Sequence, residues 1–255
     1  MTLWFPTILI AAILLLMETG RWFGVRRRRR NPEGSTGCGG VEAAVFGLMG
    51  LLIAFTFYGA ESRFETRRGM IVEEANAIGA AYHRIDLLPS NTQPQLREEF
   101  RKYIHSRLAI YQKIPDWEAV DAMNAEIRQS TALQKEIWRQ AIDATRLGDS
   151  TVQALVVPAI DRMVDIATIQ TVAFQSHPPA AVWGMLALTL LASCVLAGYS
   201  MSAAGVRNWI HILSFALLFS AVVYVNVDFE YPRMWGFIRI NDMDKLLVQT
   251  LENMK

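Results

Sequence analysis

Cysteine, histidine and ordinary catalytic signatures are what this chain has least of. It carries two cysteines. Cys38 lies in a Gly/Ser-rich linker and Cys194 in the middle of an apolar run, so neither has a partner at metal-ligand or disulfide spacing. Four histidines, His83, His105, His177 and His211, are scattered and form no ligand cluster. There is no G-x-S-x-G, no H-E-x-x-H, no P-loop and no Gly-rich dinucleotide fingerprint. Polar groups that an intramembrane enzyme would need occur only near the ends of apolar runs, as Glu18, Glu42 and His211. A metal centre, a cofactor site and an enzyme are therefore not predicted. Alternating apolar and polar residues, the pattern of a half-buried strand, are absent too, so the fold class is all-α.

What is present is grease in long blocks. Hydrophobic residues make up 52% of the 255 positions and charged residues 19%. A helix needs about 20 apolar residues to cross a bilayer. Four runs qualify, roughly Leu3–Met17 (extending toward Phe23), Val41–Ala60, Ala180–Tyr199 and Trp209–Val227. The first begins MTLWFP without a positive charge and is followed by Arg21 and Arg26–Arg30. Those flanks are the reverse of a secretory leader's, so it reads as a retained helix. The 20–40 loop holds six arginines against one acid. Short Arg-rich loops stay in the cytoplasm, which places the N-terminus and residues 61–178 outside a bacterial inner membrane. That block carries 14 Lys/Arg and 16 Asp/Glu, a balance that does not oppose export. The Arg26–Arg30 run reads as an orientation signal and a contact for anionic lipid rather than for nucleic acid.

The chain divides into 1–60, a first membrane hairpin joined by the flexible Asn31–Gly40 segment; 61–178, an extramembrane helical domain; 179–227, a second membrane hairpin; and 228–255, a tail. No proline interrupts the chain between Val41 and Leu88, so the membrane helix Val41–Ala60 continues outward through Glu61–Leu88. From Ile71 the apolar residues Ala75, Ile78, Tyr82 and Ile85 come in steps of four, three, four and three, a helix-packing seam. A turn at Pro89–Pro94 comes next, with Thr92 and Gln95 at capping-box spacing. Three more helices are predicted: Pro94 to about Lys113; one capped by Asp116 and ending before Gly148; and 151–176, bent at Pro158. The inserted unit is thus a four-helix body. In the tail, Met234, Trp235, Phe237, Ile238 and Ile240 form an apolar patch edged by Arg233 and Arg239. A final amphipathic helix, capped by Asn241, bears Met243, Leu246, Leu247 and Leu251. That tail either lies in the membrane interface or tucks back over the stem; the interface is the preferred reading.

Extending the seam into the membrane gives Gly47, Gly50, Ala54 and Phe57, then Glu61. Two readings stay open. Small residues on one face let helices of one subunit pack closely, and Ala180/Gly184 and Ser193/Ala197 share that spacing. In a symmetric oligomer the same face would line a narrow apolar pore, closed at Phe57 and ringed at its mouth by Glu61, Arg63 or Arg67. Glu73, Glu74 and Asn76 form the densest polar cluster of the stem. They are either a solvated face with helical-spacing partners such as Arg67, or a carboxylate–amide site that binds a cation or fixes an interface.

The run FETRRGMIVEEANAIGAAYHRIDLLP, followed by LREEFRKYIHSRL, resembles the bestrophin-like family of bacterial membrane proteins. The tail PRMWGFIRI resembles that family's closing motif. The likeness extends from about Val41 to Lys255 and is most specific over Glu73–Gly79. It implies an oligomer whose helical body continues the membrane helices and, through the bestrophins themselves, an anion channel. No functional residue transfers position by position; Phe55 and Phe57 only echo a phenylalanine-lined neck. The expectation is a homo-oligomeric ion channel of the inner membrane. The alternative is a non-conducting sensor or scaffold whose extramembrane helices bind a partner or ligand.

Overall fold

Helix α2 (Gly39–Arg84) is 46 residues long and continues through a 3-10 turn at Ile85–Leu87. At 1.5 Å per residue it measures roughly 70 Å, more than twice a bilayer's hydrocarbon thickness. It is uninterrupted because the sequence offers no proline over that span. The computed structural model describes residues 4–30, 39–113, 120–146, 149–204, 207–232, 237–238, 240 and 244–254. Among the described residues seven further α-helices accompany it: α1 (Trp4–Arg30), α3 (Gln93–Lys113), α4 (Val120–Thr145), α5 (Ser150–Gln175), α6 (Ala180–Met201), α7 (Trp209–Glu230) and α8 (Asp244–Glu252). The described residues contain no strand. The all-α fold with four membrane-length helices, α1, α2, α6 and α7, matches the sequence pattern.

The chain forms two compact units, Met1–Ser62 with His177–Tyr231, and Arg63–Ser176 with Pro232–Lys255. In the membrane unit, Ile13 and Met17 of α1 pack with Cys194 of α6 and with Ile212 and Ala216 of α7. Cys194 is buried there as a free thiol. The tightest approach is between α1 and α6. A Cβ on Gly20 would lie 2.0 Å from the Val195 carbonyl oxygen, and one on Gly198 would lie 1.8 Å from that of Met17. One on Gly24 would fall 2.3 Å from Ser202 Oγ. Backbone contact of this kind is how membrane helices associate when burial of grease gives no net drive. Sequence spacing put the small-residue contacts elsewhere. Among the described residues, a Cβ on Gly47, Gly50 or Gly184 would meet nothing within 4 Å, whereas Ser193 is buried and Ala197 packs against the α1–α6 core.

In the extramembrane unit the predicted seam holds: Ile71, Ala75, Ile78, Tyr82 and Ile85 are all buried. Leu96, Phe100 and Ile104 of α3, Ile137 and Ala141 of α4, and Val156, Ile160 and Met163 of α5 are buried in the same unit, and Tyr82 meets Phe100 with ring centres 5.9 Å apart. Asp149 caps α5, its carboxylate accepting from the Thr151 amide at 2.9 Å, and Pro158 sits inside that helix without ending it. The capping box expected at Thr92 and Gln95 does not form. Thr92 Oγ1 donates to the Pro89 carbonyl at 2.8 Å instead, closing the turn, and Gln93 Nε2 donates to the Leu88 carbonyl.

The final helix lies on protein. α8 packs on α3, and Leu247 and Met254 are buried. Tyr82 Oη donates to the Met254 carbonyl at 2.9 Å, and the Arg101 guanidinium donates to the same oxygen at 3.2–3.3 Å. An amphipathic helix satisfied by protein on its apolar side has no need of lipid. The described residues of 232–255 cluster with the extramembrane unit. The expectations on Cys38, the 31–38 linker, the Asp116 cap, Arg233–Gly236, Arg239 and Asn241–Met243 lie outside the described residues.

Candidate functional site

The membrane half of α2 is the least covered of the four long apolar helices. Only 6% of its apolar stretch is buried, against 22% for α1, 17% for α6 and 28% for α7. Gly47, Gly50, Ala54 and Phe57 stand exposed along one side, and Glu61 is half-buried one turn further on. Phe57 touches Phe229 of α7 edge-on, with ring centres 5.4 Å apart, and keeps 39% of its surface exposed. The helix meets its own unit on another side. Met49 and Ala60 are buried, and Thr56 accepts a hydrogen bond from Asn226 Nδ2 at 3.3 Å.

This corrects the extrapolated seam. A straight helix drifts about 20° per heptad against a 3.5-residue repeat. Carried back three heptads from Ile71 to Gly50, the projected line has therefore turned by about 60°. The side that packs within the chain is Met49, Thr56 and Ala60, and the glycine side is left over. Of the charges expected at a pore mouth, Glu61 stays on that side and Arg63 is half-buried. Arg67 does not project outward. It is buried, with Nε donating to the Ala173 carbonyl at 3.3 Å and Nη2 to that of Ser176 at 2.8 Å. Carbonyls at the end of α5 have no helical partner of their own, and a guanidinium satisfies them. Arg67 is a tie between α2 and α5, not a ring charge.

The stem cluster separates into three roles. Glu74 is wholly buried. Arg107 Nε donates to Glu74 Oε1, Tyr111 Oη donates to Oε2, and the far side of the Arg107 guanidinium donates to Gln170 Oε1. Burial by itself would lower the pKa of Arg107. The Glu74 carboxylate, together with the Tyr111 and Tyr103 hydroxyls, more than offsets this and raises it. Tyr103, buried beside them, has its phenol pushed up to about 12, mainly by burial, and accepts from Gln134 Nε2 at 3.0 Å. Glu73 points outward to an exposed ion pair with Arg162 at 3.0 Å, a contact of small energetic weight. Asn76 is exposed in an open groove of about 350 Å³ between α2 and α8. The three residues thus do not converge on a cation. Among the described residues no cluster of three or more His, Cys, Asp or Glu side chains is placed to hold a metal.

Arg107 and Gln170 were not singled out by sequence, although a signal existed for Arg107. On α3, Phe100, Ile104, Arg107 and Tyr111 recur at steps of four, three and four, so a charged residue occupies a buried register. A second polar cluster lies in the membrane unit. Asn226, Asp228 and Glu230 are buried at the end of α7. His177 Nδ1 lies 2.8 Å from Glu230 Oε1, and its ring stacks on Tyr231 with centres 5.0 Å apart.

The bestrophin-like domain matches this chain over residues 7–237. Among solved structures, a bacterial bestrophin homologue from Klebsiella pneumoniae carrying one substitution superposes with a TM-score of 0.74 at 11% identity, covering 98% of each chain. The same homologue solved by zinc phasing gives 0.69 at 11% identity over 97% of each chain. At those identities the likeness is one of fold. No curated protein sequence matches.

Proposed function

Because the chain belongs to the bestrophin-like family, we propose that copies of it assemble around the membrane half of α2 into an ion-conducting pore. The observation that carries this reading is the strip Gly47, Gly50, Ala54 and Phe57. It is exposed, small except at its outer end, and lies on the helix least covered by its own chain. In a bilayer a glycine face is spent either on close helix contact or on a lumen. Among the described residues, nothing lies within 4 Å of a Cβ placed on Gly47 or Gly50. Around a rotation axis Phe57 becomes an apolar constriction and Glu61 a ring of charge just beyond it. Anions are the expected cargo by analogy with the bestrophins for which the family is named. The site is an inner-membrane one, with Arg26–Arg30 against anionic lipid on the cytoplasmic side and the extramembrane unit outside. Gln129→Cys, made in a Cys38→Ser background, tests the orientation: labelling of the introduced thiol only from the cytoplasm would reverse it.

Chloride and cation flux from liposomes holding the purified full-length protein test the pore. Wild type should conduct, Phe57→Ala should raise flux by widening the constriction, and Glu61→Gln should alter ion preference. Silence of all three would end the proposal.

The alternative, a sensor or scaffold without conduction, draws on the α5 surface. Leu155, Ile169 and Val172 are exposed on an extramembrane helix, and a groove of about 300 Å³ lies beside Gly69 and Ile166. This reading requires an unchanging, ion-tight axis and a stable partner crosslinked to residues 89–176.

A further inference from the structure

One end of the membrane unit concentrates cations on aromatic supports. α1 finishes there in Arg26–Arg30, all five in helical backbone. The turn between α6 and α7 belongs to the same end, because Gly24 closes on Ser202 and Arg207 Nη2 donates to Glu18 Oε1 at 2.5 Å. Glu18 also reaches Arg21 at 3.9 Å. Residues 18–42 and 200–207 together hold seven arginines against three glutamates, Glu18, Glu33 and Glu42.

Two of these arginines lie on indoles contributed by different helices. The Arg26 guanidinium is 5.3 Å from the centre of the Trp22 ring, and that of Arg207 is 5.5 Å from Trp209. Trp22, Phe23, Trp209 and Ile210 are exposed beside them. The glycine side of α1 is occupied by α6, so this aromatic side faces away from the chain's own core. Indole rings settle at headgroup depth in a bilayer. A guanidinium stacked on such a ring is held at that depth with its donors available, and its planar fork suits phosphate oxygens.

We propose that this end of the membrane unit is a binding surface for anionic phospholipid headgroups. Arg26 and Arg207 contact the phosphate, and Trp22 and Trp209 set their depth. Glu18 moderates the surface by offsetting Arg207 and Arg21. This deepens the lipid contact proposed above and depends on the fold being membrane-embedded, but not on conduction.

The test is boundary-lipid selectivity of the full-length protein in phosphatidylcholine bilayers, read by electron spin resonance with spin-labelled phosphatidylglycerol and phosphatidylcholine. Wild type should favour phosphatidylglycerol, with a preference that shrinks as salt rises. At low salt Arg26→Gln and Arg207→Gln should each cut the preference roughly fivefold, the worth of one arginine near an anionic surface. Glu18→Gln should raise it. That gain separates a lipid surface from a merely structural clamp, for which Glu18→Gln would lower thermal stability and leave lipid preference unchanged. Arg128→Gln, on α4 of the extramembrane unit, should change nothing. Equal affinity of wild type for the two lipids overturns the proposal, as does a loss of preference in Glu18→Gln. A preference abolished by inorganic phosphate beyond the effect of matched chloride would assign the surface to free phosphate and refute the lipid. Protein that selects phosphatidylglycerol yet passes no ions would remove the pore and leave this surface standing.

Discussion

Breaking the Glu74–Arg107 pair should cost far more than breaking any surface ion pair of this protein. Glu74 is wholly buried and Arg107 is 5% exposed. Each depends on the other, because Tyr111 and Gln170 supply hydrogen bonds but no compensating charge. Arg107→Met leaves a buried carboxylate with one hydroxyl donor, and Glu74→Gln leaves a buried guanidinium with neutral acceptors only. Removing one partner of a buried pair costs about 3–5 kcal/mol. At about 2–4 °C per kcal/mol for a domain of this size, each single variant should melt roughly 6–20 °C lower. The double variant Glu74→Leu/Arg107→Met carries no stranded charge, and it should recover most of that loss. The assay is thermal unfolding of the purified protein in one detergent, wild type against both singles and the double. Glu73→Gln serves as the exposed comparison, expected within about 0.5 kcal/mol of wild type. Singles that melt within a degree or two of wild type would refute the reasoning. So would a double variant whose loss equals the sum of the singles, since groups in one network do not add.

Tyr103 predicts an alkaline limit. Its phenol titrates near 12 when folded and near 10 when unfolded, so the folded state holds the proton longer. The stabilisation is complete below pH 10, falls at about 1.4 kcal/mol per pH unit between 10 and 12, and is gone above 12. Denaturant titrations across that range should show the slope in wild type and a shallower one in Tyr103→Phe. Gly198→Val should destabilise the membrane unit by more than about 3 kcal/mol, because its side chain meets backbone rather than a movable group; loss of monodisperse protein on gel filtration would report it. Gly50→Ala, facing open space, should leave the fold of one chain intact and act, if anywhere, on assembly or flux. Tyr82→Phe removes one donor from the Met254 carbonyl, worth about 1 kcal/mol, and should speed amide exchange in α8 while leaving α3 protected.

How much of this was legible in sequence depends on distance along the chain. The four membrane helices, the all-α class and the Ile71–Ile85 seam were legible because hydrophobic length and helical period are local properties. Residues three or four apart share a face whatever surrounds them. The bestrophin-like resemblance lay in the same continuous stretch. Tertiary structure alone decided which face of α2 packs in the membrane, since a phase carried over three heptads accumulates drift that sequence does not correct. It also decided which glycines matter. Gly20, Gly24 and Gly198 look no different in sequence from Gly47 and Gly50, yet among the described residues another helix is pressed against the first three and not the other two. Glu74 shows the limit most plainly. Its partners Arg107 and Tyr111 come from 33 and 37 residues away. Nothing local distinguishes a carboxylate that will be sealed between helices from its neighbour Glu73, which stays in water. Burial is set by where other elements land, and those elements are chosen by the whole chain.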